Sequence, residues 1–237
     1  MAQASDAPHP IEYASSILDG ALLTIELALL SLLIAVLLGM LAALGKLSRN
    51  LLARWLASVY TTVIRGIPEL VLMFLVFYGG QLLINDLAAS IGYDDYIDID
   101  PFISGVITIG FIYGAYMGET FRGAILAVDQ GQLEAGSAYG MTRWQVFHRI
   151  LFPQMMRHAL PGLGNNWLVL LKATALVSLI GLEDMVRKAH LASGSTQEPF
   201  IFFLAVAVIF LIFTSISVAL LQWAENHYGA CVKRETH

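Results

Sequence analysis

Two ionisable side chains interrupt long apolar runs: Glu26 lies within Leu18 to Leu44, and Lys172 within Leu160 to Leu182. An ionisable group in hydrocarbon costs on the order of 2.5–3.5 kcal/mol on insertion scales, so it normally faces a cavity or a partner. The chemistry open to such groups is recognition of charge, not bond-making. Glu26 and Lys172 can be read as an internal ion pair that fixes a helix bundle. They can equally be read as a polar patch on a path through the membrane. Thr174 and Ser178, close to Lys172, and Tyr113 and Tyr116 on another apolar run would extend that patch. On the second reading Glu26 contacts a cationic group of a passing substrate.

Covalent and metal chemistry have no support. The single cysteine, Cys231, cannot form an internal disulfide, and the six histidines are scattered. No His, Cys or carboxylate cluster has the spacing of a metal site or a reaction centre. No G-x-x-x-x-G-K-[ST] segment is present, so the chain is not expected to hydrolyse ATP or to be an enzyme. No nucleic-acid partner is expected.

The elements that would position these groups are membrane spans. Of the 237 residues, 57% are hydrophobic and 13% charged; a soluble domain carries roughly 25% charged residues. A helix needs about 20 apolar residues to cross the hydrocarbon layer. Spans are expected at approximately 18–44, 68–85, 102–118, 160–182 and 200–224, all within a single transmembrane domain over 1–237. The second span follows a shorter apolar stretch, Trp55 to Ile64, across Arg65-Gly66-Ile67-Pro68. Proline suits a helix start and bars the residue before it from helical geometry, so an elbow is expected near Ile67. Glu69 then falls in the first turn, where the helix dipole favours an anion.

Lys and Arg set the orientation. The segment from Gly45 to Gly66 holds Lys46, Arg49, Arg54 and Arg65. The segment from Glu119 to Leu160 holds Arg122, Arg143, Arg149 and Arg157, and the tail holds Lys233 and Arg234. The alternate segments have an acidic loop, Asp94, Asp95, Asp98 and Asp100, and break the pattern only at Arg187 and Lys188. The N-terminus is therefore expected outside (periplasmic) and the C-terminus in the cytosol. The acidic loop, with Glu183, Asp184, Arg187 and Lys188, is either an ordinary solvated surface or a contact for an external partner. Glu119 and Arg122, three apart, are expected to form a local salt bridge.

The loop between the third and fourth spans carries the most pattern. Gln130 to Tyr139 reads as a short helix of small residues. Gly140 can take a left-handed cap conformation without steric cost. Thr142-Arg143-Trp144-Gln145 matches a capping box. The next arm places Trp144, Phe147, Ile150 and Leu151 on one face, and Pro153 is expected to limit it. Such an arm can lie on lipid, pack beneath the bundle, or enter a groove on a partner.

Glu134-Ala135-Gly136, three residues, Gly140, nine residues, then Ile150-Leu151-Phe152-Pro153 resembles the EAA loop of the permease subunits of binding-protein-dependent ABC importers. It departs at Gly136, where alanine is usual, and at Phe152, where leucine is usual. Arg65 to Leu70, Gly114 to Gly123 and Leu171 to Leu179 look like the polar amino-acid subgroup of that family, of the Q type that carries histidine, lysine, arginine and ornithine. The resemblance implies an all-α polytopic fold of five transmembrane helices, the MetI-like permease fold, in the bacterial inner membrane. It implies that Glu134, Ala135, Gly136, Tyr139, Gly140 and Arg143 couple to a cytosolic ATPase, which alone uses ATP and Mg. The implied partners are a second permease subunit, two copies of the ATPase, a periplasmic substrate-binding protein and the lipid bilayer. A stand-alone secondary transporter of small polar solutes is the alternative, although that class often has internal repeats and more spans.

Overall fold

A computed structural model describes residues 12–93 and 95–229, and every regular element among them is a helix. Asp94, Cys231, Lys233, Arg234 and the N-terminal segment before Glu12 lie outside the described residues. Five helices are long and apolar enough to cross a membrane: Tyr13–Leu47, Glu69–Ser90, Pro101–Leu126, Arg143–Ile180 and Pro199–His227.

Helix α1 (Glu12–Leu47) has 36 residues. At about 1.5 Å each it is about 54 Å long, well beyond the roughly 30 Å of hydrocarbon. Asn50 then caps α2 (Leu51–Gly66) by accepting hydrogen bonds from the amides of Leu52 and Ala53. The apolar stretch from Trp55 to Ile64 is thus the body of a complete amphipathic helix. The elbow falls at Ile67 (φ −109°, ψ 137°) and Pro68 (φ −57°, ψ 136°), both extended. Helix α3 (Glu69–Phe74) continues through one widened turn, Leu75–Gly79, into α4 (Gly80–Ser90). Asn85 and Gln81 on α4 hold the backbone of Ile97 and Ile99, the latter through a 2.9 Å bond to Gln81 Oε1. They fix the chain that leads into Asp100, whose carboxylate caps α5 (Pro101–Leu126).

The most extensive pairing is α1 with α5, and glycine makes it possible. A Cβ at Gly110 would stand 2.6 Å from Ile34, and one at Gly118 would stand 3.0 Å from Ala42. Small residues let helix backbones approach within a membrane, where no hydrophobic drive separates helix from lipid.

Pro153 does not limit the amphipathic arm. Helix α6 (Gln130–Ala138) and α7 (Arg143–Val146) are followed by a widened turn, Phe147–Leu151, that passes directly into α8 (Phe152–Ala173). A proline stops a helix through its missing N–H and its clash with the preceding turn. Here the wide turn precedes it and Pro153 occupies the opening positions of α8, so neither penalty falls on a regular ladder. Helix α8 tightens into a 3-10 segment, Thr174–Ile180, and stops at Gly181 (φ 100°).

The polar stretch after the fourth apolar run, rather than a bare loop, forms α9 (Met185–Thr196). It buries Met185, Ala189 and Ala192 with Ile17 and Ala21 of α1 and Phe202 of α10 (Pro199–Gly229). Gly20 admits the start of α9, since a Cβ there would lie 2.6 Å from the Met185 amide.

Asp184, 1% exposed, caps α9 by accepting from the Arg187 amide at 2.9 Å. Its Oδ2 is buried without a hydrogen-bond partner among the described residues. Burial pushes its carboxyl up to about 6, against the opposing backbone amides of Arg187 and Val186. An unfolded aspartate titrates near 3.9, so between these values the folded chain holds the proton more tightly. The stabilising contribution is complete below about pH 4 and is lost as pH rises through about 6. Asp184→Asn keeps a cap oxygen and removes the charge. It is expected to raise stability by about 2 kcal/mol at pH 7.5 and by little at pH 4. Melting curves of wild type and variant across that range check it.

Candidate functional site

Four charged side chains meet at one end of the bundle. Lys46 closes the last turn of α1, Arg65 the last turn of α2, and Glu119 and Arg122 stand on α5. Lys46 Nζ donates to Glu119 and to Thr61 Oγ1, the latter at 2.9 Å. Arg122 approaches Glu119 to 3.7 Å, and Arg65 approaches the same carboxylate to 4.0 Å. Every ion pair among the described residues ends on this one carboxylate. The expected Glu119–Arg122 bridge is therefore present, but as one spoke of a hub that joins α1, α2 and α5. Arg65 also lies over the Tyr116 ring, 5.4 Å from its centroid, a cation–π placement.

The hub gives a depth scale. Glu26 lies twenty residues along α1 from Lys46, about 30 Å, so it stands one hydrocarbon thickness away. Gly162 of α8 packs on Thr120, beside Glu119. Lys172, ten residues further on, stands about 15 Å from the hub. Glu26 and Lys172 are both exposed on this chain and form no ion pair with each other. The internal-pair reading is thus corrected, because the two groups lie at different depths. Thr174 and Ser178 are buried and donate to the carbonyls of Leu171 and Ala175, at 2.7 and 2.8 Å. Their hydroxyls bond within the 3-10 turn rather than to another element.

Tyr113 is 2% exposed and donates to Glu69 Oε1 at 3.0 Å. Tyr116 lies against it, ring centroids 5.7 Å apart at 33°. Glu69 joins this tyrosine pair and was expected only to complement a helix dipole. Its sequence signal was a carboxylate just past an elbow that turns the chain back into the membrane.

The arm at the hub end of the bundle is ordered by local rules. Asp129 caps α6. At the far end Gly140 (φ 80°) reverses the chain, while the amides of Gly140 and Met141 bond to Ser137 and Gly136 carbonyls at 3.0 and 3.1 Å. Thr142 and Gln145 form the reciprocal capping box. Glu134, Ala135 and Arg143 are exposed, and Tyr139 is 89% exposed. Gly136 is the buried member of the set. A Cβ there would meet Ile150 Cδ1 at 2.6 Å, so it sets the spacing of the two arms rather than lining the free face. Trp144 and Phe147 stack at 5.6 Å, both exposed. The result is a stiff bracket offering a face of small residues beside one aromatic ring.

A family model described as the inner membrane component of binding-protein-dependent transport systems matches residues 35–228. The chain is 54% identical over 222 residues to the histidine/lysine/arginine/ornithine transport system permease protein HisQ of Escherichia coli (strain K12), covering 94% of this chain and 97% of that one. It is 45% identical over 199 residues to the nopaline transport system permease protein NocQ of Agrobacterium fabrum, covering 84% of each. Among solved structures, an amino acid ABC transporter with histidines superposes with a TM-score of 0.77 at 33% identity, covering 92% of this chain and 96% of that one.

Proposed function

Because the chain belongs to the family of binding-protein-dependent transport system inner membrane components and is a permease subunit of an amino-acid ABC importer, we propose that its cargo is cationic: histidine, lysine, arginine, ornithine or a related opine. It is a multi-pass inner-membrane protein, and ATP is used by a partner ATPase. Membership of this family replaces the stand-alone secondary transporter.

The observation that carries the coupling role is the bracket at the hub end. Its exposed face, Ala135 and Tyr139 with Arg143 beyond the turn, suits a helix entering a groove on a second protein. Its stiffness lets a push on α6 reach α8 without an intervening flexible linker. The hub end faces the cytosol on this reading, in keeping with its Lys and Arg, and the N-terminus is periplasmic. The complete assembly holds this chain, a homologous second permease and two ATPase subunits using ATP and Mg, and a periplasmic binding protein delivers the amino acid. The cationic cargo is supported by the likeness to HisQ.

Reconstitution into proteoliposomes tests the proposal. With ATP on the ATPase side and binding protein opposite, labelled arginine and lysine are expected to accumulate. Omitting the ATPase should abolish uptake even under an imposed ion gradient. Uptake restricted to neutral amino acids would overturn the cationic assignment.

A further inference from the structure

The geometry points to Glu69 as the group that recognises the positive side chain of the transported amino acid, with the buried Tyr113 holding the carboxylate from behind and the partly exposed Tyr116 as the wall against which that side chain passes. This rests on the cationic cargo proposed above and assigns a residue to it.

Glu69 opens α3 directly after the elbow. Its partner Tyr113 stands six residues along α5 from Glu119, about 9 Å beyond the hub and so within the hydrocarbon layer. A carboxylate at that depth needs a cavity or a counter-charge. Among the described residues Lys46, Arg65 and Arg122 all converge on Glu119, and no ion pair reaches Glu69. Among the described residues the one side-chain hydrogen bond that Glu69 receives comes from the Tyr113 hydroxyl, on Oε1. That bond fixes the orientation of the carboxylate and leaves its second oxygen for another donor. The residue is half-buried, so this oxygen is not sealed into the core.

The adjoining surface suits the same ligand. A tyrosine face attracts an ammonium or guanidinium through the ring quadrupole. Tyr116 already carries the Arg65 guanidinium at 5.4 Å, which places a cation over that ring in this fold. The buried Tyr113 links that ring to the carboxylate, lying against Tyr116 and bonding to Glu69. Carboxylate and aromatic surface together fit lysine and arginine side chains. They discriminate against a neutral side chain of the same length, which gains neither the Coulombic nor the cation–π attraction.

The experiment is ATP-driven uptake by reconstituted wild-type, Glu69→Gln and Glu69→Asp complexes, with saturating binding protein and labelled arginine, lysine or citrulline. Citrulline presents a neutral ureido group in place of the guanidinium. Gln is isosteric and retains an acceptor for Tyr113; Asp retains the charge. Gln is expected to lower arginine and lysine uptake at least tenfold and to narrow the arginine-to-citrulline ratio, while Asp keeps at least a third of wild-type uptake. Arginine uptake by Gln within twofold of wild type overturns the assignment. So does an Asp variant as impaired as Gln, because that marks packing rather than charge. If the Gln complex does not assemble, Glu69→Met is judged by the same readings. A wild-type complex that refuses arginine and lysine refutes the proposed cargo instead, so the two failures are distinct.

Discussion

Glu119→Gln is expected to lower the melting temperature of the purified complex by about 5 °C and to cut uptake severalfold, although the substitution changes one atom. Three cations converge on this carboxylate, and the variant leaves them around a neutral amide. Removing one partner of a fully buried pair costs about 3–5 kcal/mol because the other charge is left uncompensated. The Lys46 and Glu119 side chains are 14% and 24% exposed, so some of that charge reaches water and about 2 kcal/mol is expected. For a domain of this size each kcal/mol moves the midpoint by about 2–4 °C. The two arginines, each at least 40% exposed, are expected to contribute little of this, since exposed pairs are worth about 0–1 kcal/mol. A double-mutant cycle separates the contributions. Lys46→Met combined with Glu119→Gln should be less harmful than the sum of the single changes by at least about 1 kcal/mol, whereas Arg122→Met with Glu119→Gln should be close to additive.

That hub was not legible in the sequence, for a physical reason. Lys46 and Glu119 are separated by 73 positions, and no periodicity links residues on different helices. Only the paired rise of α1 and α5 brings them to one level. The local features were legible because their causes are local. Pro68 forces the elbow through its ring, Gly140 takes the positive φ that a reversal needs, and Thr142 with Gln145 satisfies amides three residues apart. Pro153 misled because its effect on a helix depends on whether a wide turn precedes it, which is a tertiary matter. Glu26 and Lys172 looked like a pair because composition shows charge in an apolar run but not its depth. Helix α9 was missed since its buried stripe, Met185, Ala189 and Ala192, is short and made partly of alanine. One non-local feature is written in the sequence. Gly110, Gly114 and Gly118 stand four apart in an apolar run, the spacing of small residues at close helix crossings, and they line the contact with α1.

Ala135→Trp is expected to reduce ATP-driven uptake at least fiftyfold while the permease reaches the membrane in normal amounts. Ala135 is exposed on α6, one turn before Tyr139, so a large side chain there meets solvent in the isolated chain and disturbs no internal contact. The intrinsic helix cost of tryptophan in place of alanine is below about 1 kcal/mol, too small to unfold a bracket closed by Asp129, Gly140 and the Thr142 capping box. A partner groove shaped for a small side chain has no such freedom, since overpacking a close contact costs about 1–3 kcal/mol or displaces the helix altogether. The measurement is co-purification of the ATPase subunits together with uptake. Trp should lose both, and Ala135→Ser, which adds one oxygen, should keep both within about twofold. Loss of uptake with the ATPase still bound in full would place Ala135 in transmission of the stroke rather than in docking. Retention of both by the Trp variant would mean that force enters the permease elsewhere. In that case Tyr139 and the stacked Trp144–Phe147 pair would instead belong to a bracket resting on lipid, as their exposed rings would also allow.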